Sequence, residues 1–248
     1  MLKNMIKRSL LALTIITAFT QMANADDLIG AASSNIPTQG SSTEQQSNGL
    51  NLGYSDPSSQ FKAGQDYLII KPAVPVSNKD TVEVINFFSY GCKPCSDSMK
   101  ILDKWKTDMP YYARLIYSPI SPNNAISYPA RVFFTLQKLN KESLNRDFMD
   151  ASISGKTDFS DFKILHSWLA SRGVNTTDFD KAFDSNEVVS KVYAGPTIVK
   201  LYNVRSIPAV VVNGHYLIPA NVLKDEKRTT DVLNYLVGVS SKENKNAR

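Results

Sequence analysis

The sequence predicts an α/β fold in which a block of helices is inserted into a sheet. Three observations carry this expectation. Short β-branched and aromatic runs occur at Tyr67–Ile70, Thr81–Ser89 and Tyr112–Tyr117, and again at Ala209–Val212. Between the two groups, over residues 121–202, apolar residues recur at helical rather than alternating spacing. The third observation is the stretch from Val84 to Cys95, where a strand of buried character stops at Ser89–Gly91 and an amphipathic helix opens at once with Cys92-Lys93-Pro94-Cys95.

The chain begins with the pattern of a secretory signal. Lys3, Lys7 and Arg8 precede an apolar run from Leu10 to Phe19, and Ala23-Asn24-Ala25 offers a small-x-small cleavage site. The run falls short of the ~20 residues that span a bilayer, so residues 1–25 read as a cleaved peptide rather than an anchor. Residues 26–60 are Ser, Asn, Gln, Thr and Gly with few large apolar groups, and they read as a disordered low-complexity tether.

Order is expected from residue 61. Tyr67–Ile70 forms a short strand ended by Lys71-Pro72, and Thr81–Ser89 forms the central strand. A helix follows from Cys92 to about Thr107 and turns Met99, Leu102 and Trp105 inward, with Pro94 in its first turn where a missing N–H costs nothing. Tyr112–Tyr117 is a strand. Helices are predicted over Pro129–Leu139, Leu144–Ile153, Phe159–Arg172, Thr177–Phe183 and Asn186–Tyr202, the last kinked or broken at Gly195-Pro196. Ala209–Val212 and His215–Leu217 flank Asn213-Gly214, a hairpin signal, and a helix over Thr229–Val237 precedes a polar tail at 241–248. Residues 61–120 and 203–240 then form one core, interrupted by a helical insert at 121–202. Strand, strand with its Cys-x-x-Cys helix, strand, helical insert, hairpin and helix is the order of a thioredoxin fold with an inserted helical domain.

Composition narrows the function. The chain has 248 residues, 42% of them hydrophobic, and a formal net charge of +5 with Lys and Arg scattered among Asp and Glu. Nucleic-acid binding is not indicated. Cys92 and Cys95 are the only cysteines. The loop they could close is too short to constrain much of an unfolded chain, so a structural disulfide is a poor explanation. A zinc site wants four ligands, and His166 and His215 are not spaced to complete one. A first cysteine at a helix N-terminus has its thiol pKa lowered by unpaired N–H groups and the dipole, which makes Cys92 a nucleophile near neutral pH. The expected cofactor is none beyond the Cys92–Cys95 disulfide itself.

A thioredoxin-type site also needs a proline facing the cysteines from the strand after the insert. Ile207-Pro208 supplies it, and a proline leading into a central strand favours a cis bond. Ile207 would then offer its backbone to an incoming peptide as an added strand.

The segments Phe87-Phe88-Ser89-Tyr90-Gly91-Cys92-Lys93-Pro94-Cys95 and Val204-Arg205-Ser206-Ile207-Pro208-Ala209-Val210 resemble the DsbA family of periplasmic thiol:disulfide oxidoreductases. The resemblance runs from about Phe61 to Val237. It implies that Cys92 is the attacking and attacked sulfur, Cys95 the resolving one and Pro208 the cis proline. It implies a periplasmic protein that donates its disulfide to reduced secreted proteins, with a membrane quinone-linked partner re-oxidising it. Lys93-Pro94 departs from the Pro-His usual in the strongest oxidants, and the charge of Lys93 offers a partial substitute for the missing histidine. Asn86 stands where the family commonly carries a buried, proton-shuttling Glu, and strand alternation turns Glu83 to the opposite face. Two further readings are a periplasmic isomerase or reductase using the same cysteines, possibly as a homodimer, and a peptide-binding chaperone. Trp105 and Trp168 read as core anchors, and Lys224–Arg228 as a solvated charged run.

Overall fold

The structure is a computed structural model that describes residues 60–120 and 128–247. The chain divides into two units, 1–50 and 51–248, and all described residues lie in the second. The expected signal peptide and nearly all of the tether fall outside the described residues.

Five strands form one sheet: β1 (Leu68–Ile69), β2 (Val82–Phe88), β3 (Ala113–Pro119), β4 (Ala209–Val212) and β5 (Tyr216–Ile218), in the order β1-β5-β4-β2-β3. β2 runs parallel to β3 and antiparallel to β4, with Asn86 opposite Val210 on one side and Tyr117 on the other. The parallel pair is joined by α1 (Lys93–Asp108). β2 therefore has partners on both edges, and both its faces are covered. That explains its almost unbroken apolar composition.

The even face of β2, Val82 and Val84, packs under Leu102 and Trp105 of α1 and under Val232, Leu233, Leu236 and Val237 of α7 (Glu226–Asn246). The odd face, Ile85 and Phe87, packs with Val211, Leu217, Tyr202 and Val204. The insert comprises α2 (Tyr128–Lys138), α3 (Leu144–Ser154), α4 (Phe162–Ala170), α5 (Thr176–Phe183) and α6 (Asn186–Leu201). It has a core of its own, including Leu136, Phe148, Leu165, Leu169 and Phe179, with Trp168 packed against it. The two cores meet where Phe88, Cys95 and Met99 touch Phe133 of α2 and Met149 of α3.

The β4–β5 turn carries Asn213 at φ 51° and Gly214 at φ 68°, and the His215 N–H donates to Val212 O at 3.0 Å. A Cβ on Gly214 would lie 2.1 Å from Val74 O, so only glycine fits there.

One expectation is corrected and two are refined. Of the kink or break expected at Gly195-Pro196, the break does not occur: α6 is continuous through Pro196. Val188 and Val192 before the proline and Ile198 and Val199 after it all pack inward, and this burial holds one helix across the lost hydrogen bond. The last helix does not end at Val237 but continues to Asn246, over most of the expected polar tail. Its inward positions there are polar: Ser240 is buried, and the Asn244 amide donates to Asn213 Oδ1 and to Thr81 O. Lys224–Lys227 are exposed, as expected of a solvated run, and Arg228 is half-buried. Asp225 caps α7 by accepting from Arg228 N at 2.6 Å, Glu226 pairs with Lys104, and Arg228 pairs with the buried Asp66.

Candidate functional site

Gly91, at φ 78°, turns the chain at the end of β2 so that Cys92 becomes the N-cap residue of α1. Lys93 and Pro94 occupy the first turn of the helix. The Cys92 carbonyl accepts from Ser96 N at 3.1 Å, while its sulfur accepts from Cys95 N at 3.2 Å. A backbone N–H aimed at Sγ, at the positive end of a helix, stabilises negative charge on that sulfur.

Cys92 and Cys95 are joined, with an S–S distance of 2.09 Å and Cα atoms 5.2 Å apart. Their exposure differs: Cys92 is half-buried and Cys95 has no accessible surface. An attacking thiolate can therefore reach only the Cys92 sulfur. Behind Cys95, Phe88, Met99, Phe133 and Met149 form a dry apolar wall.

The Ile207–Pro208 bond is cis, as the sequence predicts, and Lys71–Pro72 is cis as well, which the sequence did not announce. Pro208 is buried immediately before β4, whose first residue Ala209 pairs with Phe87. Ile207 packs against the same cluster as Cys92 and Cys95. The fold thus brings Cys92, Cys95, Lys93, Pro94, Ile207 and Pro208 to one end of the sheet.

Lys93 is paired along the helix. Its ammonium lies 2.5 and 2.6 Å from the two Asp97 oxygens, one turn along α1. The Lys93 hydrogen bond holds the Asp97 carboxyl below its ordinary range. Asn86 is fully buried, and neither atom of its amide has a hydrogen-bond partner among the described residues. Glu83, three residues away in the same strand, lies on the other face.

Sequence reasoning missed the residues that dock the site onto the insert. The Tyr90 hydroxyl donates to Asn145 Oδ1 at 2.7 Å and its ring meets Phe148 edge-on at 4.8 Å. Burial pushes the Tyr90 phenol well above its ordinary range. Ser96 Oγ donates to Asp150, while Arg146 donates to Ser96 O and pairs with Asp103, which also accepts from the Tyr117 hydroxyl. All of these bonds except Asp103–Tyr117 join α1 or its leading turn to α3, and contacts between distant segments leave no local sequence signal. A pocket of about 520 Å³ opens beside Gly91, lined by Tyr90, Tyr128, Pro129, Phe148 and Phe159 among others. A larger one, about 640 Å³, lies at the Lys71–Pro72 loop and includes none of the site residues.

Among the described residues, no group of three His, Cys, Asp or Glu is arranged to hold a metal. His166 is paired with Asp180 at 2.8 Å, and His215 lies 3.7 Å from Glu243.

A cysteine pair capping the helix after a central strand, with a cis proline at the entry of the neighbouring strand, on a mixed sheet with an inserted helical domain, is the arrangement of a thioredoxin fold. No known family profile matches the chain. It is 28% identical over 161 residues to the thiol:disulfide interchange protein DsbA of Bordetella parapertussis, covering 65% of this chain and 77% of the relative. It is 26% identical over 178 residues to the DsbA of Pseudomonas syringae pv. tomato, covering 71% and 83%. The crystal structure of Pseudomonas aeruginosa DsbA superimposes with a TM-score of 0.66 at 22% identity, covering 75% of this chain and 96% of that one. The oxidoreductase NmDsbA3 of Neisseria meningitidis gives 0.64 at 22% identity, covering 75% and 100%. The chain is similar in sequence to these DsbA proteins and shares their fold, the thioredoxin fold with an inserted helical domain expected from its element order.

Proposed function

We propose that the protein is a thiol:disulfide oxidoreductase that donates the Cys92–Cys95 disulfide to reduced secreted proteins. The observation that carries this reading is the unequal placement of the two sulfurs, Cys92 half-exposed at the N-cap and Cys95 sealed beneath it. A substrate thiolate attacks Cys92 Sγ, the Cys92–Cys95 bond breaks, and Cys95 leaves with the electron pair and takes up a proton. A second substrate thiolate then attacks the substrate sulfur of the mixed disulfide and expels Cys92 as a thiolate. The substrate loses two electrons and the cysteine pair gains them. The helix N-terminus and the Cys95 N–H stabilise the departing Cys92 thiolate, which drives the transfer. Ile207 and Pro208 would hold the substrate backbone beside the sulfurs, with Lys93 and Pro94 shaping the first turn.

The relatives' printed names describe thiol:disulfide interchange, which supports the same chemistry here. A periplasmic location and re-oxidation by a quinone-linked membrane protein follow from this reading. One observation favours the reverse direction, an isomerase or reductase. The positive charge of Lys93 is committed to Asp97 and is not free to stabilise the Cys92 thiolate.

Equilibration with glutathione redox buffers tests the direction. A donor should give a potential at or above about −180 mV, and a value near thioredoxin's, about −270 mV, would reject donation in favour of reduction. In parallel, Cys95→Ser should attack a disulfide-bonded peptide through its Cys92 thiolate, expel a peptide thiolate and accumulate the mixed disulfide, and Cys92→Ser should form none.

A further inference from the structure

Lys93 follows the attacking cysteine directly, and its ammonium is the mobile positive charge nearest the Cys92 sulfur in sequence. It is drawn along the helix by a two-oxygen contact with Asp97 at 2.5 and 2.6 Å, in the i,i+4 arrangement that suits a helix surface. Both side chains are more than half exposed, so nothing but this contact fixes the ammonium. Lys100 adds a weaker contact to the same carboxylate at 3.9 Å. From α3, the charged groups facing this turn are Asp150, which accepts from Ser96 Oγ at 3.3 Å, and Arg146, whose Nη1 donates to Ser96 O at 3.4 Å. Neither of these contacts Lys93.

We propose that Asp97 is a positioning residue that tempers the oxidising strength of the Cys92–Cys95 pair by holding the Lys93 ammonium away from the Cys92 sulfur. The proposal rests on the thiol–disulfide reading and adds to it a determinant outside the Cys-x-x-Cys motif. When the pair is reduced, the Cys92 thiolate and the Asp97 carboxylate compete for one ammonium. Whatever the carboxylate keeps is lost to the thiolate, so the reduced form is less stable and the disulfide a weaker oxidant. Asp97 also acts through its own charge. It lies five residues beyond Cys92, about 7.5 Å along the helix axis. At a water-like dielectric, a unit charge at that distance changes the thiolate equilibrium about twofold, and an ammonium brought to about 4 Å changes it about fivefold.

Asp97→Asn should therefore shift the equilibrium with glutathione about fivefold toward the reduced protein at low ionic strength, an upward step in potential of about 20 mV. In a Lys93→Gln background, the same Asp97→Asn change should give only about twofold, because no ammonium remains to release. A merely structural role would move the melting temperature and leave the potential in place. The proposal is overturned by no shift, by a shift toward the oxidised protein, or by equal shifts in the two backgrounds. A wild-type protein that does not exchange with glutathione at all would instead remove the thiol–disulfide reading, and this proposal with it.

Discussion

Replacing Asn86 with valine should stabilise the protein, although the residue sits at the centre of the fold. Asn86 has no accessible surface and neither atom of its amide finds a partner among the described residues. Its strand neighbours on the same face are Val84 and Phe88, and its register partner in β4 is Val210. A buried polar group without a hydrogen bond costs roughly 1–3 kcal/mol. Valine removes that cost, favours the strand conformation and adds little volume, so the net gain should be about 2 kcal/mol. For a domain of this size that corresponds to a rise in melting temperature of about 4–8 °C. The assay is thermal unfolding of both proteins in the oxidised form, with urea unfolding as a check that the m-value is unchanged. An unchanged or lower melting temperature would refute the reasoning, since it would mean that the amide makes favourable bonds inside the fold.

Arg228→Ala should destabilise the protein by about 2 kcal/mol in urea unfolding, because it strips a buried carboxylate of its charged partner. Asp66 is 3% exposed and would be left with the Lys62 N–H at 2.9 Å, while Phe61 would lose the guanidinium over its ring. Adding Asp66→Asn should recover part of that loss, and a double variant no better than the single one would reject the account. Glu187 gives a pH signature. Hydrogen bonds from Lys138 and Lys191 hold its carboxyl down to about 2. The folded value is thus below the unfolded one, so its contribution is complete above about pH 4.5 and fades as pH falls toward 2. Glu187→Gln should therefore melt slightly below wild type at pH 7, with the gap closing across that window. A gap that widened on acidification would contradict the sign.

The parts of the site legible in the sequence are those fixed by short stretches of chain. A buried strand, a glycine turn and two cysteines at helical spacing place Cys92 at an N-cap, and a proline leading into a central strand announces the cis bond. Lys93 and Asp97 stand at i,i+4, so their pairing does have a local signal in the sequence. The length of α7 was not legible because hydrophobic periodicity marks a buried face only while that face is apolar, and Ser240 and Asn244 break it. At Pro196 the local rule left a kink or a break open, and valine and isoleucine packing on both sides keeps the helix continuous. The lack of a partner for Asn86 depends on what β4, β3 and α1 bring to it, and no single stretch of sequence carries that information.

The insert leaves the sheet from the end of β3 and returns at the start of β4, and these two strands flank β2. Pro119 lies beside Phe88 and Ala209 beside Phe87, so the attachment points are about two strand spacings apart, roughly 10 Å. A connection of four or five residues could bridge that gap. The chain could therefore close without the helices, which roof the cysteines and, through Ile198 and Val199 of α6, cover the odd face of the sheet. The helical domain is thus anchored at two posts on either side of the strand that leads to Cys92.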